Sequence, residues 1–373
     1  MRAPEFWSRP PGILATLLAP AGGAWQAAAE LRRIVARPYR APIPVLCVGN
    51  LVAGGAGKTP VVLSLAALLA EHGIAAHLVT RGYRGRLRGP VRVEPERHDA
   101  AAVGDEALVI AARAPCWVGR DRAATIRAAA AAGAEAAILD DGFQNPTVAK
   151  DQSLLVVDAG YGLGNGRVIP AGPLREPARA ALARCGAVVL LHTPGAPGHP
   201  RESGGPGAGD EASGLDSRFR GNDGWGDSCL RGNDGSGLPE LPVPTLQAGI
   251  RTIDGARFAG RRIVAFAGIG RPEKFFATLR SLDAIVVGAH PFADHHPFRA
   301  SEIAGLRRRA AEAGAKLVTT AKDFVRLPPD LRDGIAVLEI EVCWRDPAAL
   351  AGLMAPFVLS ARRDGRGSTH PRR

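Results

Sequence analysis

Cysteine is scarce and scattered, with Cys47, Cys116, Cys185, Cys229 and Cys343 the only five in 373 residues. No two form a Cys-x-x-Cys pair, so the sequence encodes neither a disulfide framework nor a cysteine zinc site. A reduced, cytoplasmic setting is the expectation. Aromatic residues make up 5 % of the chain, too few to supply stacking platforms for single-stranded nucleic acid. No clean apolar run ends in a small-residue cleavage site, so no secretory signal is evident. The stretch from Ile13 to Ala29 is mostly apolar, but it is marginal against the roughly 20 residues a span needs. Pro20, Gly22 and Gly23 interrupt it, Arg9 precedes it, and Arg32, Arg33, Arg37 and Arg40 follow it. Arginines on both flanks favour a helix lying in the headgroup layer over one crossing it. A helix packed on a soluble domain is the alternative.

Positive charge is plentiful. Lysine and arginine number 47 against 36 acidic residues, a formal charge of +11. That balance suits a partner carrying phosphates, whether nucleotide, nucleic acid or anionic membrane. Apolar residues at 46 % exclude a wholly disordered chain. At roughly 150 residues per domain, the length gives about two domains and a remainder.

From Pro44 onward, short apolar runs alternate with helical stretches. Val45–Val48, His77–Thr80, Trp117–Val118, Ala136–Leu139, Leu154–Val157 and Ala187–Leu191 read as strands. Pro60–Ala70, Asp105–Ala114 and Arg122–Ala132 read as helices between them. Continuous leucine and β-branched runs spaced by helices predict a parallel sheet covered on both faces. Near Pro194 the composition changes to Gly, Pro, Ser and Asp, with Arg-Gly-Asn-Asp-Gly occurring at 220–224 and again at 231–235. Such a segment cannot build a core and is expected to be a disordered insertion. Alternation then resumes. Arg262–Ala267, Ile285–Val287, Leu317–Thr319 and Ile335–Ile340 are predicted strands, and Pro272–Leu282 and Ala300–Ala313 predicted helices. The fold class is therefore α/β: a P-loop parallel-sheet domain with helices on both faces, a second smaller α/β domain and an N-terminal membrane-associated helix. The boundaries are 1–40 for that helix, 41–193, 194–240 for the insertion, 241–360, and 361–373 for a disordered basic tail.

The strongest motif is Gly54-Gly55-Ala56-Gly57-Lys58-Thr59, directly after a strand and before a helix. Glycines let backbone N–H groups turn toward phosphates, and the helix N-terminus adds its dipole. Lys58 can reach the β- and γ-phosphates, and the Thr59 hydroxyl can ligate Mg²⁺. The usual spacing asks for Gly six residues before the lysine, where this chain has Val52; the earlier glycine is Gly49. A P-loop enzyme also needs carboxylates near its metal. Ala136–Leu139 runs straight into Asp140 and Asp141, at the strand edge where such sheets bind ligands. Gly104-Asp105-Glu106 opens a helix, where N-capping by Asp105 is the plain alternative. His290-Pro-Phe-Ala-Asp294-His295-His296 follows a second-domain strand. Its residues could hold zinc, but no fourth protein ligand is obvious, and an Asp–His pair suffices for acid–base work.

These motifs occur in one order with Gly49-Asn-Leu, Arg81-Gly-Tyr83, Asp140-Asp-Gly-Phe-Gln144, Pro170-Ala-Gly-Pro-Leu-Arg-Glu-Pro177 and Gly268-Ile-Gly270. Together they resemble the tetraacyldisaccharide 4′-kinase family, the lipid A 4′-kinases of Gram-negative bacteria. The resemblance implies a membrane-associated enzyme on the cytoplasmic face of the inner membrane. Its implied reaction transfers the ATP γ-phosphate to the 4′-hydroxyl of a lipid-linked disaccharide 1-phosphate. It implies ATP and Mg²⁺ as cofactors, no nucleic acid and no obligate protein partner. Lys58 and Thr59 would hold phosphates and metal, and Asp105 would pair with His295 to activate the hydroxyl. Glu106, Asp140 and Asp141 would organise the metal. Arg175 would meet phosphate charge, and Arg81 and Tyr83 would lie near lipid or sugar. The chain departs from the family at Asn145, where His is frequent after Phe-Gln, and at Arg84, where Gly is frequent after Tyr.

Two other functions compete. A GTPase or ATPase maturation switch would carry a guanine signature such as Asn-Lys-x-Asp; the nearest string, Thr320-Ala-Lys-Asp323, has Lys and Asp adjacent. A nucleic-acid-dependent ATPase is suggested by charge alone and lacks a binding module.

Overall fold

The computed structural model of the chain describes residues 4–192 and 243–366. The 194–240 insertion lies outside them. In chain order the elements are α1 (Ile13–Val35), β1 (Val45–Gly49), α2 (Lys58–Glu71), β2 (Ala76–Thr80), β3 (Val91–Arg92), α3 (Ala100–Val103), α4 (Asp105–Ala111), β4 (Cys116–Val118), α5 (Arg122–Ala131), β5 (Ala136–Asp140), β6 (Gln152–Asp158), α6 (Ala178–Leu182) and β7 (Ala187–His192). The chain continues with β8 (Thr245–Ile253), β9 (Arg262–Ala267), α7 (Pro272–Ser281), β10 (Ile285–Pro291), α8 (Ala300–Glu312), β11 (Lys316–Thr320), α9 (Ala321–Arg326), β12 (Ile335–Trp344) and α10 (Pro347–Arg366).

Among the described residues the strands form one twelve-stranded sheet, in the order β10-β9-β11-β12-β8-β7-β6-β1-β5-β2-β4-β3. Strands β1, β5 and β7 are apolar at nearly every position because helices cover both faces. Alternation along the strands sends Leu46, Val48, Ile138 and Val156 into one core, and Val45, Cys47, Leu139 and Val157 into the other. A second lobe builds its own core around β9, with Phe276 and Leu279 of α7 on one face and Ile303 and Leu306 of α8 on the other.

The lobes are joined by the long strand β12. Its first half pairs parallel with β11 and its second half antiparallel with β8, so strand direction reverses across it. The sequence reading stops β12 at Ile340 and assigns no element to β3, β8 or α10. Helix α10 returns to the first lobe and buries Leu350, Met354, Phe357, Val358 and Ala361 beside α2. It runs on to Arg366, past the point where the sequence predicts a frayed tail.

Candidate active site

The phosphate-loop lysine is held by two neighbours. Lys58 opens α2, and its Nζ lies 3.1 Å from Asn50 Oδ1 and 3.6 Å from Asp141 Oδ1. Asn50 is buried and donates to the carbonyl of Val52 at 2.7 Å, shaping the loop from inside. Gly57 has φ +76°, and a Cβ there would stand 2.5 Å from Leu191 Cδ2, so glycine is required. The segment after Pro170 straps the loop: Ala53 N–H donates to Pro173 O, and Arg175 N–H to Leu51 O, both at 2.8 Å. This brace, rather than a glycine at position 52, fixes the loop's entry.

The same strap carries Arg175, whose Nη1 meets Asp141 Oδ1 at 2.8 Å. Asp141 adopts φ +57° at the end of β5. Burial opposes its ionisation, but the charges of Lys58 and Arg175 prevail and hold its carboxyl below the usual range. Its neighbour Asp140 is buried opposite Val48 of the phosphate-loop strand. Burial, with Glu106 and Asp141 nearby, pushes its pKa up to about 7. Its Oδ1 has no hydrogen-bond partner.

This predicts a pH effect on stability. The folded state binds the Asp140 proton more tightly than the unfolded state, where the pKa is about 3.9. Stability from this group is therefore full below about pH 4 and is lost as pH rises toward 7. Without nucleotide or metal, Asp140→Asn should melt higher than wild type at pH 8, by about 1–3 kcal/mol, with the gap narrowing at pH 5. Equal melting curves at pH 8 would refute the buried charge.

Asp105 and His295 meet between the lobes. Asp105 opens α4 after Gly104, whose φ is +87° and where a Cβ would stand 2.6 Å from Tyr83 O. His295 sits at φ +57° in the loop after β10. Its Nδ1 lies 2.9 Å from Asp105 Oδ2, and its Nε2 lies 3.8 Å from Asp294 Oδ1. Asp105 is 3 % exposed. Burial would raise its pKa, but the contact with His295, that residue's charge, Lys322 and Arg326 hold it below the carboxylate range. The other histidines have separate partners. His296 Nε2 contacts the Glu302 carboxylate at 3.0 Å, and His290 Nδ1 lies 3.3 Å from Arg309. They do not converge with His295 on one point.

Tyr83 is 59 % exposed and packs its ring edge against His295, with centroids 5.6 Å apart. Arg84 has φ +64°, the conformation for which glycine is the easier residue. Here its guanidinium lies 5.8 Å from the Tyr83 ring and reaches toward the Asp294 and His295 carbonyls. Asn145 Oδ1 accepts from the Thr147 N–H and hydroxyl, each at 2.8 Å, so it caps a turn. Arg81 is exposed beyond β2, where its charge acts on Arg122. Helix α1 closes one side of the site. Trp25 Nε1 donates to Arg175 O at 3.1 Å, and Arg33 pairs with buried Glu176. Trp25, Arg32, Arg33, Arg175 and Arg184 line a cavity of about 280 Å³ there.

Sequence reasoning missed the groups behind Asp105. Arg326 of α9 places Nε 3.1 Å from Asp105 Oδ2 and Nη2 3.0 Å from Asp323 Oδ1. Lys322 Nζ meets Glu106 Oε1 at 2.7 Å. Lys322 lies in the string dismissed above as a failed guanine signature, and Arg326 follows three residues after it. Thr320 with Asp323 three residues later was a legible helix-start signal, and Lys322 and Arg326 share one helix face.

Comparison with known proteins identifies the family. The model of the family described as tetraacyldisaccharide-1-P 4′-kinase matches residues 14–357. The chain belongs to this family. It is 52 % identical over 371 residues to a tetraacyldisaccharide 4′-kinase of Rhodospirillum centenum, covering 98 % of each chain. A second such kinase, from Rhodospirillum rubrum, is 46 % identical over 369 residues, covering 96 % of this chain and 98 % of the other. The fold is similar to that of a solved "apo"-form LpxK from Aquifex aeolicus in complex with ATP, with a TM-score of 0.67 and 22 % identity. That match covers 93 % of this chain and all of the other.

Proposed function

We propose that the chain transfers the γ-phosphate of ATP to the 4′-hydroxyl of tetraacyldisaccharide 1-phosphate. The observation that carries this reading is the Asp105–His295 contact at 2.9 Å, which joins the phosphate-loop lobe to the second lobe. In the proposed step the sugar hydroxyl oxygen attacks the γ-phosphorus. The bond from that phosphorus to the β–γ bridging oxygen breaks, and ADP departs. The hydroxyl proton passes to the Asp105–His295 pair. Lys58 and the loop N–H groups face the charge that develops on the bridging and γ oxygens. Arg326 keeps Asp105 ionised and aimed, and Arg175 adds charge for phosphate.

Mg²⁺ fits the residues present, because Asp140 offers a buried carboxylate oxygen with no other partner. Thr59 and Asp140, with Glu106 and Asp141 nearby, would hold it, and its chemistry is to neutralise charge between the β- and γ-phosphates. Incubating the purified protein with γ-labelled ATP and the disaccharide 1-phosphate should give a labelled bisphosphate lipid. Label appearing only as free phosphate would overturn the reading.

Helix α1 supports work at the surface of the inner membrane, on the cytoplasmic side where ATP is supplied. Among the described residues no helix is long and apolar enough to cross a membrane. Yet Ile13, Leu17 and Ile34 of α1 are 83 %, 72 % and 73 % exposed. Apolar side chains left in water along an arginine-flanked helix suit insertion among headgroups. The cavity at its base, rich in arginine, suits the anionic end of the substrate. Replacing Ile13, Leu17 and Ile34 together with Ser should weaken binding to anionic vesicles. It should raise KM for lipid more than KM for ATP. Unchanged vesicle binding would remove α1 from this role.

A further inference from the structure

The second lobe brings two cations to the phosphate loop that the proposed step does not use. Arg271, just before α7, and Lys274, in its first turn, converge on one carboxylate at the end of β6. Arg271 Nη1 lies 2.9 Å and Lys274 Nζ 2.5 Å from Asp158 Oδ2. One carboxylate facing two cations leaves the cluster with a net positive charge. The cluster is fixed in place: the Arg271 guanidinium lies 4.3 Å from the Tyr161 ring centroid, and Asp158 is largely buried.

Its position is informative. Asp158 shares a small cavity with Val52, Gly54, Gly55 and Ala56, so the cluster adjoins the loop that would cradle phosphates. At its other end the segment Gly268-Ile-Gly270 ties Arg271 to the acid–base pair. Gly268 O accepts the His295 N–H at 2.9 Å, and a Cβ on Gly270 would stand 3.8 Å from Asp294 Oδ2. Three residues span at most about 10 Å. Arg271, on the second lobe, is therefore close in the chain to the pair and in contact with a carboxylate that adjoins the phosphate loop.

We infer that Arg271 and Lys274 form a phosphate clamp supplied by the second lobe. Asp158 holds them beside the phosphate loop, and the triphosphate of a bound nucleotide takes them over. The exchange is favourable because a triphosphate carries several charges where Asp158 carries one. The guanidinium fork also matches phosphate oxygens as well as it matches carboxylate. The clamp rests on the proposed function only in that the Gly54–Thr59 loop binds ATP.

The test uses the full-length protein without lipid and measures the Kd of a fluorescent ATP analogue with Mg²⁺ for wild type, Arg271→Gln, Lys274→Gln and Asp158→Asn. Melting curves are recorded for each. Arg271→Gln should raise Kd by about tenfold or more, as expected for loss of a charge-assisted contact, and Lys274→Gln should raise it by less. Asp158→Asn should leave Kd unchanged or lower it, because the cations are released to the nucleotide. A bridge that only fastens the lobes together predicts the opposite pattern: Asp158→Asn would then weaken nucleotide binding as much as Arg271→Gln does. That result, or an unchanged Kd for Arg271→Gln, would overturn the clamp. Tight binding by wild type with either result leaves the phosphate-loop assignment standing, whereas no binding by wild type would overturn both.

Discussion

Asp105→Asn and His295→Ala should each lower kcat by about 10²–10⁴, and the double variant should be little worse than the worse single. A sugar hydroxyl is a poor nucleophile, and its proton must leave as the phosphoryl group arrives. The geometry supplies one acceptor made of two residues. Asp105 fixes the imidazole through Nδ1, and the imidazole in turn offsets the cost of a carboxylate at 3 % exposure. Losing either member removes the unit, so the second loss has little left to remove. The asparagine variant keeps a polar group against Arg326, which would otherwise face a vacancy at 3.1 Å from its Nε. Nucleotide affinity should change little, because neither side chain belongs to the phosphate loop. Steady-state kinetics on the four proteins checks this. Multiplicative losses would mean independent roles, and full activity of His295→Ala would exclude it from the step.

Lys58→Ala should leave a folded protein whose kcat is about 10²–10³ lower. The fold should survive because the lysine's contacts are polar and replaceable. Asn50 keeps its bonds to the loop backbone, and Asp141 keeps Arg175 at 2.8 Å. The catalytic loss arises because the ammonium meets charge that moves between phosphates during transfer. This cation faces the Asp141 carboxylate 3.6 Å away. A bound nucleotide must therefore compete with Asp141, as it must with Asp158 for Arg271. Near-normal turnover would refute the phosphate-loop assignment.

Arg84 and Asn145 illustrate how far a departure from a family pattern can be read. Both break the pattern, and the sequence gives no measure of the consequence. At Arg84 the backbone takes a left-handed conformation, and the side chain finds new partners at Tyr83 and the carbonyls before His296. At Asn145 the amide caps its own turn. The first costs some backbone strain, and the second is local.

The local chemistry was legible in the chain itself. A strand, a glycine-rich loop and a helix in succession specify the phosphate loop, because each step is decided by neighbours in sequence. Asp140 and Asp141 follow an apolar strand, and Asp105 starts a helix, for the same reason. The family motifs paired Asp105 with His295, but spacing alone could not, since 190 residues of chain separate 105 from 295. Tertiary structure decided the rest. It set Arg326 and Lys322 behind the acidic residues, folded α10 back onto the first lobe, and let one strand, β12, carry both lobes in a single sheet. It also turned Arg271 and Lys274 toward Asp158. These are long-range choices, made by which surfaces bury together and which charges then find partners, and no periodicity in the sequence records them.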